Sequence, residues 1–208
     1  LTTFRQYGRW LERLGIDSVG ALNDSLSEGR TREIILVSEA LHEQQISEIA
    51  GQIAEESERV KVVLIAGPSS SGKTTFSKRL TVQLLARGIS PYPVEMDNYF
   101  VDRERTPRDS KGDYDFESIK ALDTQLLGKH LRELIAGQEV ELRHYNFKTG
   151  VNEPGEVVKL KNGQLIILEG IHGLNPELLP SFDPRLAYRL YISCLTQLNL
   201  DRHNRIST

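Results

Sequence analysis

Residues 60–76 read VKVVLIAGPSSSGKTTF, and within them Gly67-Pro68-Ser69-Ser70-Ser71-Gly72-Lys73-Thr74 follows the pattern G-x-x-x-x-G-K-[ST]. Each fixed residue type has a chemical reason. Gly67 and Gly72 let the backbone turn so that successive N–H groups, through Ser69, Ser70, Ser71 and on to Thr75, point inward at phosphate oxygens. Lys73 adds a point charge toward β- and γ-phosphates, and Thr74 offers a hydroxyl to Mg²⁺. A helix opening at Lys73 contributes its positive dipole end. A dinucleotide fingerprint is excluded, because the loop has no G-x-G.

Two carboxylates stand where such a loop would need them. Glu169 ends the apolar run LIILEG, residues 165–170, and an acidic residue at the tip of a buried strand is a natural second ligand for Mg²⁺. A strand-end carboxylate that merely faces water is the simpler alternative. Asp97, in EMDNYF, follows a second strand candidate, and a carboxylate there can accept a proton from a substrate hydroxyl. Asp-Asn after a strand is equally an ordinary turn signal.

The elements that must hold these groups alternate in type. VKVVLIA reads as a strand buried on both faces of a parallel sheet, followed by a helix from Lys73 to Arg87 that ends at Gly88. SPYPVEM is a shorter strand, and residues 117–136 read as helix. QEVELRHYNF and GEVVKL read as a β-hairpin with a long glycine-containing tip at 149–155. QLIILEG and LAYRLYIS are further strands. Strands interleaved with helices predict an α/β fold with a mainly parallel sheet, whose ligands lie outside the carboxyl ends of the strands.

Upstream, residues 3–58 read as helix. Phe4, Tyr7, Trp10, Leu11 and Leu14 share one face, which makes Trp10 a packing residue rather than a base-stacking platform. A short helix follows Asp17-Ser18. A long one runs from Thr31 toward Glu56 with a stripe of Ile34, Val37, Leu41, Ile46, Ile49 and Ile53, and with His42 beside it. Residues 1–58 are therefore expected as a helical lead-in and 59–208 as the phosphate-binding domain.

Composition bounds the rest. With 208 residues, a formal net charge of −3 and a pI near 6.0, the chain can bury a real core and shows no basic surplus for coating nucleic acid. No apolar run approaches the roughly 18 residues of a membrane span, and no signal peptide is visible, so a cytoplasmic protein without membrane partners is expected. The single cysteine, Cys194 in LYISCL, has no internal disulfide partner and reads as a buried thiol. The five histidines show no metal-ligand spacing, so no zinc site is expected. The chain starts at Leu1, its only methionine is Met96, and it ends at NRIST, as expected of a piece of a longer polypeptide.

The ordered set GPSSSGKTTF, DNYF, YDF, HYNF and LEGI resembles the uridine kinase and phosphoribulokinase family over roughly residues 60–208. Residues 1–58, with EALHEQQISEIA, resemble the segment ahead of the kinase in longer bacterial uridine-kinase-like proteins, whose upstream region is similar to part of threonyl-tRNA synthetase. The resemblance implies a P-loop fold and an ATP·Mg²⁺-dependent kinase acting on a small-molecule, ribose-like acceptor. It makes Asp97 the group that activates the acceptor hydroxyl. Asp115, in YDF, becomes a clamp on ribose hydroxyls, and Tyr145, in YNF, an aromatic lying against the nucleobase. A carboxylate can accept from two vicinal hydroxyls and a ring can stack on a base. A solvated acid and a cross-strand aromatic are the plainer readings of the same two residues.

Departures from the family pattern bear on the acceptor. Where uridine kinases carry a histidine and an arginine that help read the pyrimidine, this chain has Gly150 and Asn152. Glycine has no side-chain donor, and asparagine lacks the charge and fork of arginine. His144 and His172 are the nearby histidines, with a structural role as the default. For a sugar-phosphate acceptor, Arg103, Arg105, Arg108 and Lys148 are the available basic residues. The family's arginine-bearing lid would begin beyond Thr208, with Arg202 and Arg205 near the boundary.

The expected activity is phosphoryl transfer from ATP to a hydroxyl of a nucleoside. A switch-type NTP hydrolase would call for N-K-x-D, which is absent; a nucleotide-binding regulatory module is the other alternative. The sequence leaves room for a homo-oligomer.

Overall fold

The computed structural model describes residues 2–193, 198–201 and 204, with side chains described from Gly8 onward. Phe4 and Tyr7, as side chains, and Cys194, Arg202 and Arg205 lie outside the described residues. Two compact units emerge, one formed by residues 1–45 with 194–208 and the other by residues 46–193.

In the first unit, helices α1 (Thr2–Leu14) and α2 (Val19–Ser27) are followed by the start of α3 (Thr31–Glu55). Ser18 caps α2, its Oγ accepting from the Ala21 amide at 3.2 Å. Leu11, Ile16 and Ile34 form a small buried cluster against which Trp10, Leu14, Leu22 and Leu198 pack. Trp10 is thus the packing residue its helical spacing predicts. The break between units lies inside α3, upstream of the composition change at Val60.

The second unit is the α/β body. Its strands β1 (Val62–Ala66), β2 (Pro91–Glu95), β5 (Leu165–Glu169) and β6 (Ala187–Tyr191) form a sheet in the order β2-β5-β1-β6, all parallel. β3 (Glu139–Asn146) and β4 (Val151–Lys159) form a separate antiparallel hairpin. Side chains alternate across a strand, and the core divides accordingly. Val63, Ile65, Leu165 and Ile167 face a cluster built with Phe76, Leu80 and Leu84 of α4 (Lys73–Leu85) and with Ile46, Ala50 and Ile53 of α3. Val62, Leu64, Ile166 and Leu168 face the other cluster, with Leu127, Leu131 and Leu134 of α5 (Thr124–Ile135) and Val140 and Leu142 of β3. Every residue of β1 is buried, and each of Val62, Val63, Leu64 and Ile65 contributes roughly 1.5–3 kcal/mol over an exposed side chain. That burial makes β1 a rigid mount for the loop that follows it.

Two expected elements are revised. The helix expected over 117–136 begins only at Thr124. Asp123 caps it by accepting from the Leu126 amide at 2.9 Å, while Leu122 pairs in extended form with Phe100. The hairpin tip is shorter than 149–155, because Asn152, Glu153 and Pro154 pair with Tyr145, His144 and Arg143. Among the described residues, no helix is long and apolar enough to cross a membrane.

Candidate active site

Register brings the chemistry together. Ile65 of β1 lies opposite Glu169 of β5, and Glu169 lies opposite Glu95 of β2. The carboxyl ends of three adjacent strands therefore carry the phosphate loop, Glu169 and, two residues past Glu95, Asp97 in the 3-10 turn Met96–Tyr99.

The loop itself is built for close approach. A Cβ on Gly67 would fall 2.3 Å from the Ile192 carbonyl oxygen and 2.8 Å from Ser71 Oγ, so only glycine fits between β1 and the end of β6. Ser70 and Gly72 both have positive φ, 60° and 89°, which turns the peptide planes inward. Ser71 Oγ is buried and has no hydrogen-bond partner, whereas Ser69, Ser70 and Thr75 are exposed. α4 opens at Lys73, whose Nζ donates to the Pro68 carbonyl at 2.8 Å and so lies back across the loop. The cradle, the orphaned hydroxyl and the helix N-terminus fit a nucleotide phosphate chain.

Thr74 Oγ1 donates to Glu169 Oε1 at 2.6 Å. Two oxygen donors, a hydroxyl and a carboxylate, thus meet at the mouth of the loop, as a hard cation that also holds phosphate oxygens requires. Asp97 is exposed to solvent. Desolvation on its protein-facing sides and the charge of Glu95 raise its carboxyl above the usual range, while Lys73 and His172 act in the opposite direction. A carboxylate with raised affinity for protons, beside the loop lysine, suits proton transfer from a hydroxyl.

The remaining predicted residues are placed as follows. Asp115 is half-buried, and its Oδ1 accepts from the amides of Glu117 at 3.0 Å and Ser118 at 3.1 Å. Tyr145 is only 1% exposed, so its ring is not an open stacking face in this structure. It packs edge-on against Phe100, Phe116 and Phe147, and the exposed ring of that cluster is Phe147, at 59%. Sequence reading passed over Phe147; its place in the hairpin turn, between Asn146 and Val151, was the available signal.

Gly150 and Asn152 have structural work of their own. Gly150 has φ 75°, and a Cβ there would come within 2.8 Å of the Arg103 side chain. Arg103 in turn donates to the Phe147 carbonyl at 2.6 Å. The Asn152 side-chain Nδ2 donates to the carbonyls of Asn98, at 2.9 Å, and Phe100, at 2.8 Å, while its Oδ1 accepts from Arg143 Nε. Asn152 therefore ties the hairpin to the segment carrying Asp97. Arg108 stacks on the Tyr114 ring, 4.2 Å from its centroid, and donates to the Gly112 carbonyl at 2.7 Å. A recess of about 540 Å³ between β2 and the hairpin is lined by Glu95, Asn98, Arg143 and His144, among others, but by none of the phosphate-loop residues nor by Asp97.

His172 is the residue that sequence reading left in a structural default. It sits just past β5, near Asp97, Asp115 and Glu117, and its Nε2 is buried with no hydrogen-bond partner.

Known proteins resemble this chain over the same elements. The family described as "Phosphoribulokinase / Uridine kinase family" matches residues 62–183. A uridine kinase of Halobacterium salinarum is 31% identical over 113 residues, covering 54% of this chain and 48% of that protein. A uridine kinase of Chloroflexus aurantiacus is 29% identical over 140 residues, 67% of this chain and 62% of its own length. The chain thus spans about half to three-fifths of these relatives. A solved structure described as a possible uridine kinase from Bacillus stearothermophilus shares 31% identity with a TM-score of 0.53, covering 66% of this chain and 72% of that one. With the phosphate loop, the adjacent strand-end glutamate and the parallel sheet all in place, the chain belongs to the phosphoribulokinase/uridine kinase family of kinases.

Proposed function

We propose that this protein transfers the γ-phosphoryl group of ATP to a hydroxyl of a nucleoside-type acceptor. The observation that carries this reading is the Thr74–Glu169 hydrogen bond at the mouth of the loop, on the rim that also holds Asp97. Mg²⁺, held by Thr74 and Glu169 with phosphate oxygens, would neutralise charge as it develops on the transferring group. Lys73 and the loop amides hold and orient the phosphates. Asp97 accepts the proton of the attacking hydroxyl, and the Asp115 carboxylate holds neighbouring hydroxyls. Rate enhancement then rests on positioning and electrostatics.

The charges on the acceptor side favour a neutral acceptor over a sugar phosphate. Asp97, Asp115 and Glu117 all act on His172, so three carboxylates gather there, while Arg103 and Arg108 are tied to the hairpin and to Tyr114. A like-charged phosphate on the acceptor would be repelled. The relatives described as uridine kinases support a nucleoside.

The test supplies γ-labelled ATP and Mg²⁺ with separate nucleosides, ribose sugars and sugar phosphates, using wild type and Asp97→Asn. Label on a nucleoside, lost in the variant, supports the reading. Label confined to inorganic phosphate, or carried equally by the variant, contradicts it.

A further inference from the structure

The backbone carbonyls of residues 97–100, on the turn that carries Asp97, all have partners. The Asp97 carbonyl accepts from the Phe100 amide at 3.3 Å, and the Tyr99 carbonyl accepts from the Asp123 amide at 2.8 Å. The other two, on Asn98 and Phe100, are both taken by Nδ2 of Asn152, on β4 of the hairpin. One side-chain amide thus directs both of its N–H groups at this turn. Arg143 fixes which way that amide faces, donating through Nε to Asn152 Oδ1 and through Nη2 to the Asn152 carbonyl at 2.9 Å. A flipped amide would set an oxygen against two carbonyls and a nitrogen against a guanidinium.

The side chains of the turn are employed in the same way. Met96, Tyr99 and Phe100 are buried, and Asn98 is half-buried, whereas Asp97 is exposed. Met96 lies so close to Gly170, which follows Glu169, that a Cβ there would fall 2.6 Å from its own Cβ. The Tyr99 hydroxyl meets His130 Nδ1 of α5. Asn98 Oδ1 accepts from the Tyr145 amide at 3.2 Å, and the Asn152 backbone amide donates to Asp102 Oδ1 at 2.8 Å. The end of β5, helix α5 and the hairpin therefore each hold the turn, and the side chain they leave in solvent is Asp97. The hold on two of its four carbonyls depends on a single residue, Asn152.

We propose that Asn152 is a positioning residue for the transfer step, acting through Asp97. Without Nδ2, the carbonyls on either side of Tyr99 lose their partner, and the turn is free to shift. A displacement of about 1 Å in a group that meets the attacking hydroxyl lowers a rate by about 10²-fold. The phosphate loop shares none of these bonds, so nucleotide binding is left alone. The inference deepens the phosphoryl-acceptor reading above and rests on it.

The experiment measures single-turnover transfer of label from γ-labelled ATP·Mg²⁺ to a nucleoside panel led by uridine, with ATP binding and thermal midpoint followed in parallel. Asn152→Leu and Asn152→Asp, both close to isosteric, are made on wild type and on Asp97→Asn. Asn152→Gln, which keeps the amide on a longer arm, supplies the same comparison where the other two fold poorly. Each protein is assayed well below its own midpoint, beside Leu84→Ala, a core change on the opposite face of the sheet. On wild type, Asn152→Leu and Asn152→Asp should lower transfer roughly 10–10²-fold and leave ATP affinity unchanged. On Asp97→Asn they should lower it hardly further, because the group they position is already disabled. Asn152→Gln should fall between them and wild type, and Leu84→Ala should change the rate by the same factor on both backgrounds. Asn152 variants that lose the same factor on both backgrounds, lose ATP affinity with rate, or transfer as fast as wild type would overturn the inference while leaving the acceptor reading intact. A wild type that turns over ATP and labels no nucleoside sinks the acceptor reading, and this inference falls with it.

Discussion

A hydrogen bond of 2.6 Å between Thr74 and Glu169 joins residues that are 95 positions apart, and it is the point where loop and sheet become one site. Its two oxygens are the expected cation ligands, so Thr74→Ala and Glu169→Gln should each raise the Mg²⁺ concentration needed for half-maximal turnover, read from a Mg²⁺ titration of rate. The role proposed for Asp97 is on the acceptor instead. Asp97→Asn should leave ATP binding intact and lower transfer roughly 10²–10⁴-fold, measured by single-turnover kinetics. The places of these three residues on the rim were legible in sequence, since Glu169 and Asp97 lie at or just past strand ends and Thr74 closes the loop consensus at the start of α4. The burial of Tyr145 was not. Burial on β3 falls on Val140 and Leu142, and continued alternation would turn residue 145 outward. The alternation breaks after Leu142, where the pairing steps two residues on β3 but three on β4, and Tyr145 is buried. A bulge of this kind leaves no reliable mark in a hydrophobic pattern.

At the scale of elements, the hairpin is held in place by its tip. Gly150→Ala must place a Cβ against Arg103 at a positive φ, and should cost about 1–3 kcal/mol in chemical denaturation while weakening the Arg103–Phe147 strap. Helix α5 offers a pH signature. His130 Nδ1 lies 3.1 Å from the Tyr99 hydroxyl, and burial lowers the histidine below its ordinary value of 6.5. The unfolded chain then binds the extra proton more readily. Stability should be full above about pH 6.5 and fall as pH drops below it toward the folded-state value. His130→Gln should flatten the dependence of thermal midpoint on pH across that window. The core strands and α3 were readable from unbroken apolar runs and helical stripes. The start of α5 was not, since the polar stretch before it has helix-compatible residues, and only the Asp123 cap and the pairing of Leu122 with Phe100 decide the boundary.

Across the whole molecule, the two faces of the sheet are filled independently: α3 and α4 cover one, and α5 with the hairpin covers the other. The rim between them carries the proposed chemistry. Donor groups gather at the β1 and β5 ends, and acceptor groups gather where the β2 end and the 115–117 turn approach His172. The phosphate loop's consensus was readable in sequence, whereas the gathering of Asp97, Asp115 and Glu117 near His172 comes from tertiary closure of turns distant in sequence. The central claim is that the phosphoryl group leaves ATP for an organic hydroxyl and not for water. The most direct measurement is turnover of ATP·Mg²⁺ with uridine in oxygen-18 water, with products resolved by mass spectrometry. Phosphorylated uridine free of the heavy isotope is the expected product. Inorganic phosphate carrying oxygen-18, formed at the same rate with or without uridine, would contradict the claim and make the protein a hydrolase.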